Sequence, residues 1–591
     1  MLSRISRPVV AALAAATGLV VFAPQATSQA PAAPAARPIS PFDVDAQGAS
    51  VPFTEYEAES ATHNGSVIGP DHTQASLPSE ASGRRAVRLA NQGQYVEFTL
   101  TAPANAIDVR YSVPDGREGT LSVYVNGTKL SERLQVTSRL SYLDTPWITG
   151  SRNHHFYDND RMLLGQNVAA GAKVRVQVDG GDSAGPYTID LADFEQVGAP
   201  GNRPGNSVSV TDHGATPNDG SDDVGAFRAA IAAARQQGRE VWIPSGAFNL
   251  NSALQVDQVT IRGAGMWYSE LHSNNPFNNG GVSGNIRLHD FAIFGQVSER
   301  NDNSPDNGYH GAFGSNSVVS GLWIENTKCG LWLMNGATRN LRVEHNRIQN
   351  TMADGINFDG AVTDSVINNN FLRNTGDDAL ATWSNGSPNA RNSITNNTVV
   401  QPNLANGIAI YGGEGATVAG NVVADTNALG GGIHIANRFN STPLTGTFTV
   451  RDNTTIRAGA RDPNWQFGVG ALWFDARDSA ITNAQISVTN FTAVDSPYEA
   501  FQFLDGAGAG KAIQNVTING ARIDGVGTFV AQAQTTGRVS ISNVSATRVG
   551  AAGRYNCPYP NTIPPMAFEG SGNSGWDTTW SGCAWPSREA R

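Results

Sequence analysis

Cysteine is nearly missing from this chain. There are three in 591 residues, none at the paired spacing of a zinc or iron–sulfur site, which excludes a metal–thiolate centre and a dense disulfide scaffold. Cys557 and Cys583 flank a Pro- and Gly-rich tail and are candidates for one disulfide, while Cys329 lies in the apolar run Cys329-Gly330-Leu331-Trp332-Leu333 and reads as a buried free thiol. Charge is scarce too, at 15%, and with 64 glycines this favours turn-rich β architecture over helical bundles. Basic residues are outnumbered: the formal charge is −11, or −13 without Arg4 and Arg7 at the N-terminus. That balance argues against nucleic acid and polyanions and leaves a neutral polysaccharide as the easier partner. Past Phe22 no apolar run approaches membrane length, so no membrane partner is expected.

What is present falls into distinct stretches. Residues 1–30 have a basic start, an apolar run from Val9 to Phe22 and small residues up to Ala30, the order of a secretory signal peptide. The chain is therefore expected to be secreted and extracellular. Residues 31–50, rich in Ala and Pro, read as a linker. From 51 to 199, strand-like pieces recur at sandwich spacing: Tyr56 to Glu59, Ala86 to Leu89, Tyr95 to Leu100, Ala106 to Ser112, Leu121 to Val125, Val174 to Asp179 and Tyr187 to Phe194. An insert from Tyr142 to Asp160, dense in aromatics and His, reads as a loop packed into a domain interface, with sugar contact as the alternative.

From 206 to 550 the chain repeats itself, and 551–591 forms a tail. After Val208 to Val210 and an acidic turn around Asp212, Asp219, Asp222 and Asp223, the Ala-rich stretch Val224 to Gln237 has helical spacing. Thereafter an Asn recurs at 346, 370, 397, 421 and 453, at intervals of 24, 27, 24 and 32 residues, each within a β-branched or aliphatic run. A core period with variable insertions marks a repeat architecture with loops on one side. Asn tolerates the left-handed conformation of a sharp corner, and stacked Asn side chains can form a ladder. Second short strands follow, at Gly355 to Phe358, Ala379 to Trp383, Gly407 to Tyr411, Gly432 to Ala436 and Ala471 to Phe474. The expected fold is all-β, a parallel β-helix preceded by a sandwich, and the chain is read as a monomer.

The chemistry lies in Ala353-Asp354-Gly355-Ile356-Asn357-Phe358 and Gly376-Asp377-Asp378-Ala379-Leu380-Ala381. Asn346 to Asp354 is eight residues and so is Asn370 to Asp378, which puts Asp354 and Asp378 one repeat of 24 apart. Successive coils stack at about 4.8 Å. Two stacked carboxylates with Asp377 beside them suit general acid and base work on water and a glycosidic oxygen. The stacked pair suits positioning and deprotonating water, and Asp377, off the ladder, suits the other side of the scissile bond. Trp383, Tyr411, His434, Arg438 and Trp473, at or just beyond second strands, are candidates for sugar subsites; aromatic faces and Arg donors are what neutral pyranose rings bind. The loop Asn301 to His310 is placed over the cleft. No catalytic cofactor is needed for such chemistry.

Both halves carry a resemblance. Thr54-Glu55-Tyr56-Glu57-Ala58-Glu59, Gly93 to Phe98 and Ile189 to Glu195 resemble carbohydrate-binding modules of the family 35 and family 6 type, which implies a structural calcium with Glu57, Glu59 and Asp193 as ligands. Residues 206 to 265 resemble the capping segment of right-handed β-helices of the pectin-lyase-like superfamily. With Ala353 to Gly360, Thr375 to Ser384 and Gly432 to Phe439, the chain from about 51 to 550 resembles glycoside hydrolase family 87, the α-1,3-glucanases and mycodextranases. The resemblance implies cleavage of α-1,3 linkages in α-1,3-glucan or nigeran by inversion, with Asp377 as general acid and Asp354 and Asp378 holding the nucleophilic water. Polygalacturonases share a three-aspartate layout, but their Gly-His-Gly and Arg-Ile-Lys elements are missing here. A β-helix lyase or epimerase would need a cationic subsite, and no Lys or Arg lies within the two aspartate segments. A non-catalytic glycan-binding β-helix would have no use for three registered carboxylates.

Overall fold

The computed structural model of the chain describes residues 39–581 apart from 45–46, 142–154, 463–466, 507–509, 552 and 557–565. The signal peptide, most of the linker, Cys557 and Cys583 lie outside the described residues; Cys329 is a buried free thiol.

Residues 53–195 form a sandwich of two antiparallel sheets. Phe53–Glu57, Ser66–Ile68, Ala86–Leu89, Ala104–Ser112, Asp158–Val168 and Tyr187–Glu195 build one sheet. Thr62–His63, Tyr95–Thr99, Glu118–Val125, Thr128–Thr137 and Lys173–Gln177 build the other. Val96, Phe98, Ile107, Val109, Val174 and Ile189 fill the space between them. Thr128–Thr137 was not predicted, because its largely solvent-facing residues lack the apolar alternation of a half-buried strand.

From Ser207 onward, apart from two short two-stranded sheets, one of them antiparallel, the strands are parallel and wind through three sheets, so each coil has three strands and not the two read from the sequence. The α-helix Val224–Gln237 turns Phe227, Ala230, Ile231 and Ala234 inward and caps the first coil. Inside, equivalent side chains stack in step: Ile356, Leu380, Ile408, Ile433, Leu472 and Phe501 are consecutive partners in the third sheet. Burying each such side chain is worth about 1.5–3 kcal/mol. Arg554–Asn556 and Ala567–Glu569 extend the third and first sheets past residue 550.

The recurrent Asn residues form a buried ladder at the corner between the first and second sheets. The Nδ2 of Asn346, Asn370, Asn397 and Asn421 each donates to the Oδ1 of the next, at 2.9, 3.0, 3.0 and 2.9 Å. The left-handed corner residue is the one before the rung, namely His345, Asn369, Asn396, Gly420 and Asp452, with φ between 53° and 67°. The ladder Asn is selected by its hydrogen bonds and not by backbone strain.

The sandwich sits on the second sheet through buried charges. Arg347 pairs with Glu195 at 2.8 Å, and Arg373 pairs with Asp193 at 2.9 Å and with Glu55. Arg161 lies against the rings of Trp267 and Trp323. The described end of the aromatic insert joins this interface: Asn350 donates to Asp158 at 2.8 Å, and Asn374 donates to the Tyr157 carbonyl at 3.0 Å. Each of these two Asn residues stands four positions before an aspartate of interest, so docking of the sandwich fixes the turn that carries the chemistry.

Candidate active site

The turn from the second sheet to the third brings the three aspartates together. Ile356 and Leu380 are register partners, so Asp354 and Asp378, two residues before each, are in step, and the Gly355 amide donates to the Asp378 carbonyl at 3.1 Å. One oxygen from each of Asp354, Asp377 and Asp378 lies within 4.8 Å of the others. Asp354 and Asp378 are 5% and 4% exposed. The Asp377 side chain keeps 20% of its surface and faces solvent.

Their surroundings differ in chemistry. Asp378 accepts from three donors: the Asn406 amide and Asn406 Nδ2 reach its Oδ1, both at 2.8 Å, and the Tyr411 hydroxyl reaches its Oδ2 at 2.7 Å. Burial and the Asp377 charge push the Asp378 carboxyl up to about 7, with Tyr411 and Asn406 opposing. Asp354 accepts from Asn357 Nδ2 at 3.2 Å, its one side-chain donor among the described residues. Burial and then the Asp377 and Asp378 charges push it well above the usual carboxylate range. Asp377 faces a cation: Arg300 Nη1 lies 2.7 Å from its Oδ2, while Arg300 Nε lies 2.8 Å from Asp302. Against the cost of burial, the Asp377 and Asp302 carboxylates keep this guanidinium firmly charged. Arg300 thus supplies the positive charge that three close carboxylates need.

The proposed subsite residues divide into two groups. Along the outward face of the third sheet, Asn357, Ala381, Ala409, His434 and Trp473 form one register row, and Asp359, Trp383, Tyr411, Ala436 and Asp475 the next. His434 and Trp473 are 1% and 2% exposed and stack at 3.5 Å. Trp473 Nε1 donates to Asn406 at 2.9 Å, and Asn406 Nδ2 lies 3.4 Å from His434 Nδ1. Burial lowers His434 to about 4, so the ring is neutral beside Asp475. His434, Trp473 and Tyr411 are thus buried, the first two against Asn406 and the third against Asp378. Trp383 is half-buried and Arg438 partly exposed. Trp383 Nε1 donates to the Phe439 carbonyl at 3.0 Å, and Arg438 pairs with Asp478 at 2.9 Å and lies over the Phe439 ring.

Three contributors escaped the sequence reading. Asn406 occupies the same ladder position as Asp354 and Asp378, but it stands nine residues after Asn397 where the aspartates stand eight after theirs. Arg300 comes from the turn ahead of the strand Asn307–Gly311. Phe439, 46% exposed, packs edge-on against Tyr411 at 5.1 Å. Of the three residues read as calcium ligands, Asp193 pairs with Arg373 at 2.9 Å, and Glu57 accepts from Ser82 and is pushed up by burial and by the neighbouring Glu55 and Glu59 charges.

A β-helix whose outer face presents clustered carboxylates, one reachable from solvent and two buried beside bound donors, is the framework of a glycoside hydrolase. The comparisons place the chain more closely. Residues 50–197 match a family model described as α-1,3-glucanase catalytic domain D1, and residues 225–558 match α-1,3-glucanase catalytic domain D2. The crystal structure of the catalytic unit of a thermostable GH87 α-1,3-glucanase from Streptomyces thermodiastaticus strain HF3-3 is 52% identical, with a TM-score of 0.87, covering 91% of this chain and 99% of that one. The Agl-KA catalytic domain is 28% identical, with a TM-score of 0.78, covering 90% and 98%. An aspartate-to-alanine variant of a GH87 α-1,3-glucanase catalytic domain, in complex with nigerose, is 26% identical, with a TM-score of 0.78, covering 89% and 100%. No curated protein matches. The chain belongs to the α-1,3-glucanases of glycoside hydrolase family 87, and its sandwich falls within what that family's model treats as catalytic domain.

Proposed function

We propose that this enzyme hydrolyses α-1,3-glucosidic linkages in an extracellular α-glucan, with Asp377 as general acid and Asp354 and Asp378 positioning and deprotonating the attacking water. The observation that carries this reading is the convergence of the three carboxylates in a turn where only Asp377 is open to solvent. Related catalytic domains are described in complex with nigerose and with tetrasaccharides. Three of them carry aspartate-to-alanine replacements at positions spaced by 23 residues and by one, the spacing of Asp354, Asp377 and Asp378.

Asp378, with three donors on its two oxygens, is built to be a carboxylate and to take a proton from water. Asp354, buried beside it and pushed well above the usual carboxylate range, shares with Asp378 the water and the proton that limit the repulsion of the cluster. Asp377 delivers a proton to the leaving oxygen, and water attacks from the opposite face, inverting the anomeric centre.

The test is the first anomer released from a soluble α-1,3-linked oligosaccharide, followed by NMR. The β-anomer is expected first; early α-anomer means retention and overturns the water-positioning roles. An α-glucosyl fluoride, which needs no leaving-group protonation, should partly rescue Asp377→Asn but neither Asp354→Asn nor Asp378→Asn.

A further inference from the structure

The loop after the strand Ile433–Ala436 carries an aromatic ring in a place that folding alone does not favour. Among the described residues, the large hydrophobic side chains that stand exposed are Val67 and Phe439, each at 46%. Val67 lies in the sandwich strand Ser66–Ile68. Phe439 instead has a φ of 57°, and Asn440 after it a φ of 54°. Asn tolerates the left-handed region; in a bulky residue the Cβ crowds the following carbonyl oxygen, and the conformation is an outlier. Several contacts impose it. Trp383 Nε1 donates to the Phe439 carbonyl at 3.0 Å, and Asp478 takes both the Asn440 amide and Arg438 Nη1 at 2.9 Å. Arg438 Cζ lies 4.6 Å from the Phe439 ring centroid, and the ring meets Tyr411 edge-on at 5.1 Å. Strain over-determined in this way belongs to a site.

We propose that Phe439 is a substrate-binding residue, a preformed platform whose exposed surface stacks on a glucosyl unit of the α-1,3-linked chain, at or next to the unit being hydrolysed. The inference rests on the reading of the enzyme as an α-1,3-glucan hydrolase in which Asp378 takes a proton from water. One side chain links platform and carboxylate: Tyr411 packs against the Phe439 ring and donates its hydroxyl to Asp378 Oδ2 at 2.7 Å. Trp383, which fixes the Phe439 carbonyl, is the register partner of Tyr411 on the neighbouring coil and is half-buried, so it flanks the same place. The C–H face of a pyranose is flat and apolar, which a rigid aromatic ring with nearly half its surface open matches. Arg438, its side chain 31% exposed, offers donors to the sugar hydroxyls beside the ring. Fixing the ring before substrate arrives removes its ordering cost from binding. That is the physical reason for a Phe at a position where Asn or Gly would fold more easily.

The test sets binding against stability in Phe439→Asn, Phe439→Ala and Phe439→Tyr. Asn relieves the left-handed strain and Ala does not, so Phe439→Asn should melt at or above the wild-type temperature and above Phe439→Ala. Both should raise KM for a soluble α-1,3-linked oligosaccharide by roughly five- to tenfold, the equivalent of uncovering one face of a Phe ring, with kcat within about twofold of wild type. Phe439→Tyr, which keeps the flat face, should keep the wild-type KM. A wild-type KM in folded Phe439→Asn and Phe439→Ala overturns the proposal. So does a Tm lowered equally in both with kcat reduced and KM unchanged, which makes the ring a strut for Tyr411. A crystal structure of Asp377→Asn with the oligosaccharide bound decides the matter without altering Phe439: a glucosyl ring against the Phe439 ring is expected, and a glucan chain that passes without touching it overturns the platform even if the variants do not fold. A wild-type enzyme that neither binds nor cleaves the oligosaccharide would instead remove the functional reading on which the platform stands.

Discussion

Tyr411→Phe separates the base from its surroundings with the loss of a single oxygen. The ring stays packed, edge-on to His434 at 5.3 Å and to Phe439 at 5.1 Å. What is lost is the Tyr411 hydroxyl that donates to Asp378 Oδ2 at 2.7 Å, while Asn406 continues to serve Oδ1. A hydrogen bond to a charged acceptor contributes about 1.5–3 kcal/mol, and one pKa unit corresponds to about 1.36 kcal/mol. Asp378, already pushed up to about 7 by burial, should rise by roughly one to two units. The acidic limb of kcat/KM should move upward by that amount. Below it the variant should be roughly 10- to 100-fold slower than wild type, and on the alkaline side of the limb nearly equal. Reducing-sugar release from a soluble α-1,3-linked oligosaccharide across pH 4 to 9 measures it. A rate lowered by the same factor at every pH, with the limb unmoved, would show that Tyr411 acts by packing and that Asp378 is not the group deprotonating water.

Other expectations follow from the same contacts. Phe439→Ala, at the exposed ring beside Tyr411, should raise KM for polymeric glucan several-fold with little change in kcat, and an unaltered KM removes Phe439 from the substrate path. Arg373→Met leaves Asp193 and Glu55 buried without their cation; a loss of about 3–5 kcal/mol should appear in chemical denaturation, and a loss below 1 kcal/mol would mean that the sandwich is not held by this pair. Burial pushes Asp108, Asp158 and Asp160 at the same interface up to about 6, 7 and 8. Folded-state values above the unfolded ones mean stabilisation present below about pH 4 and lost as pH rises to 8, so Tm should fall across that range; a Tm rising from pH 5 to 8 contradicts it.

Much of this site could be read in the sequence because stacking turns distance along the chain into distance in space. Equal intervals from Asn346 to Asp354 and from Asn370 to Asp378 imply side-by-side carboxylates, and the register of Ile356 with Leu380 gives them. The reading fails where that rule stops. Arg300 reaches Asp377 from a turn outside the Asn period, and its partner is set by how that loop folds back. His434 and Trp473 lie on the expected sheet and face, but only three-dimensional packing shows that neighbouring coils cover them and turn them into supports for Asn406. The third strand of each coil was hidden because segments such as Arg347–Gln349 carry charged and polar side chains that the sandwich, not solvent, receives.

That last contact bears on how such a protein can be dismantled. Arg347 and Arg373 project from the second sheet with side chains 4% and 0% exposed, into acids supplied by the sandwich. A β-helix expressed alone would present two bare guanidinium groups and a strip of aromatic rings to water, beside the very turns that carry Asp354 and Asp377. The N-terminal half is thus not an exchangeable accessory that could be swapped for another binding module. Truncation near residue 200, between the last sandwich strand and the first coil, should yield an insoluble or misassembled fragment, and grafting experiments need to move both parts together.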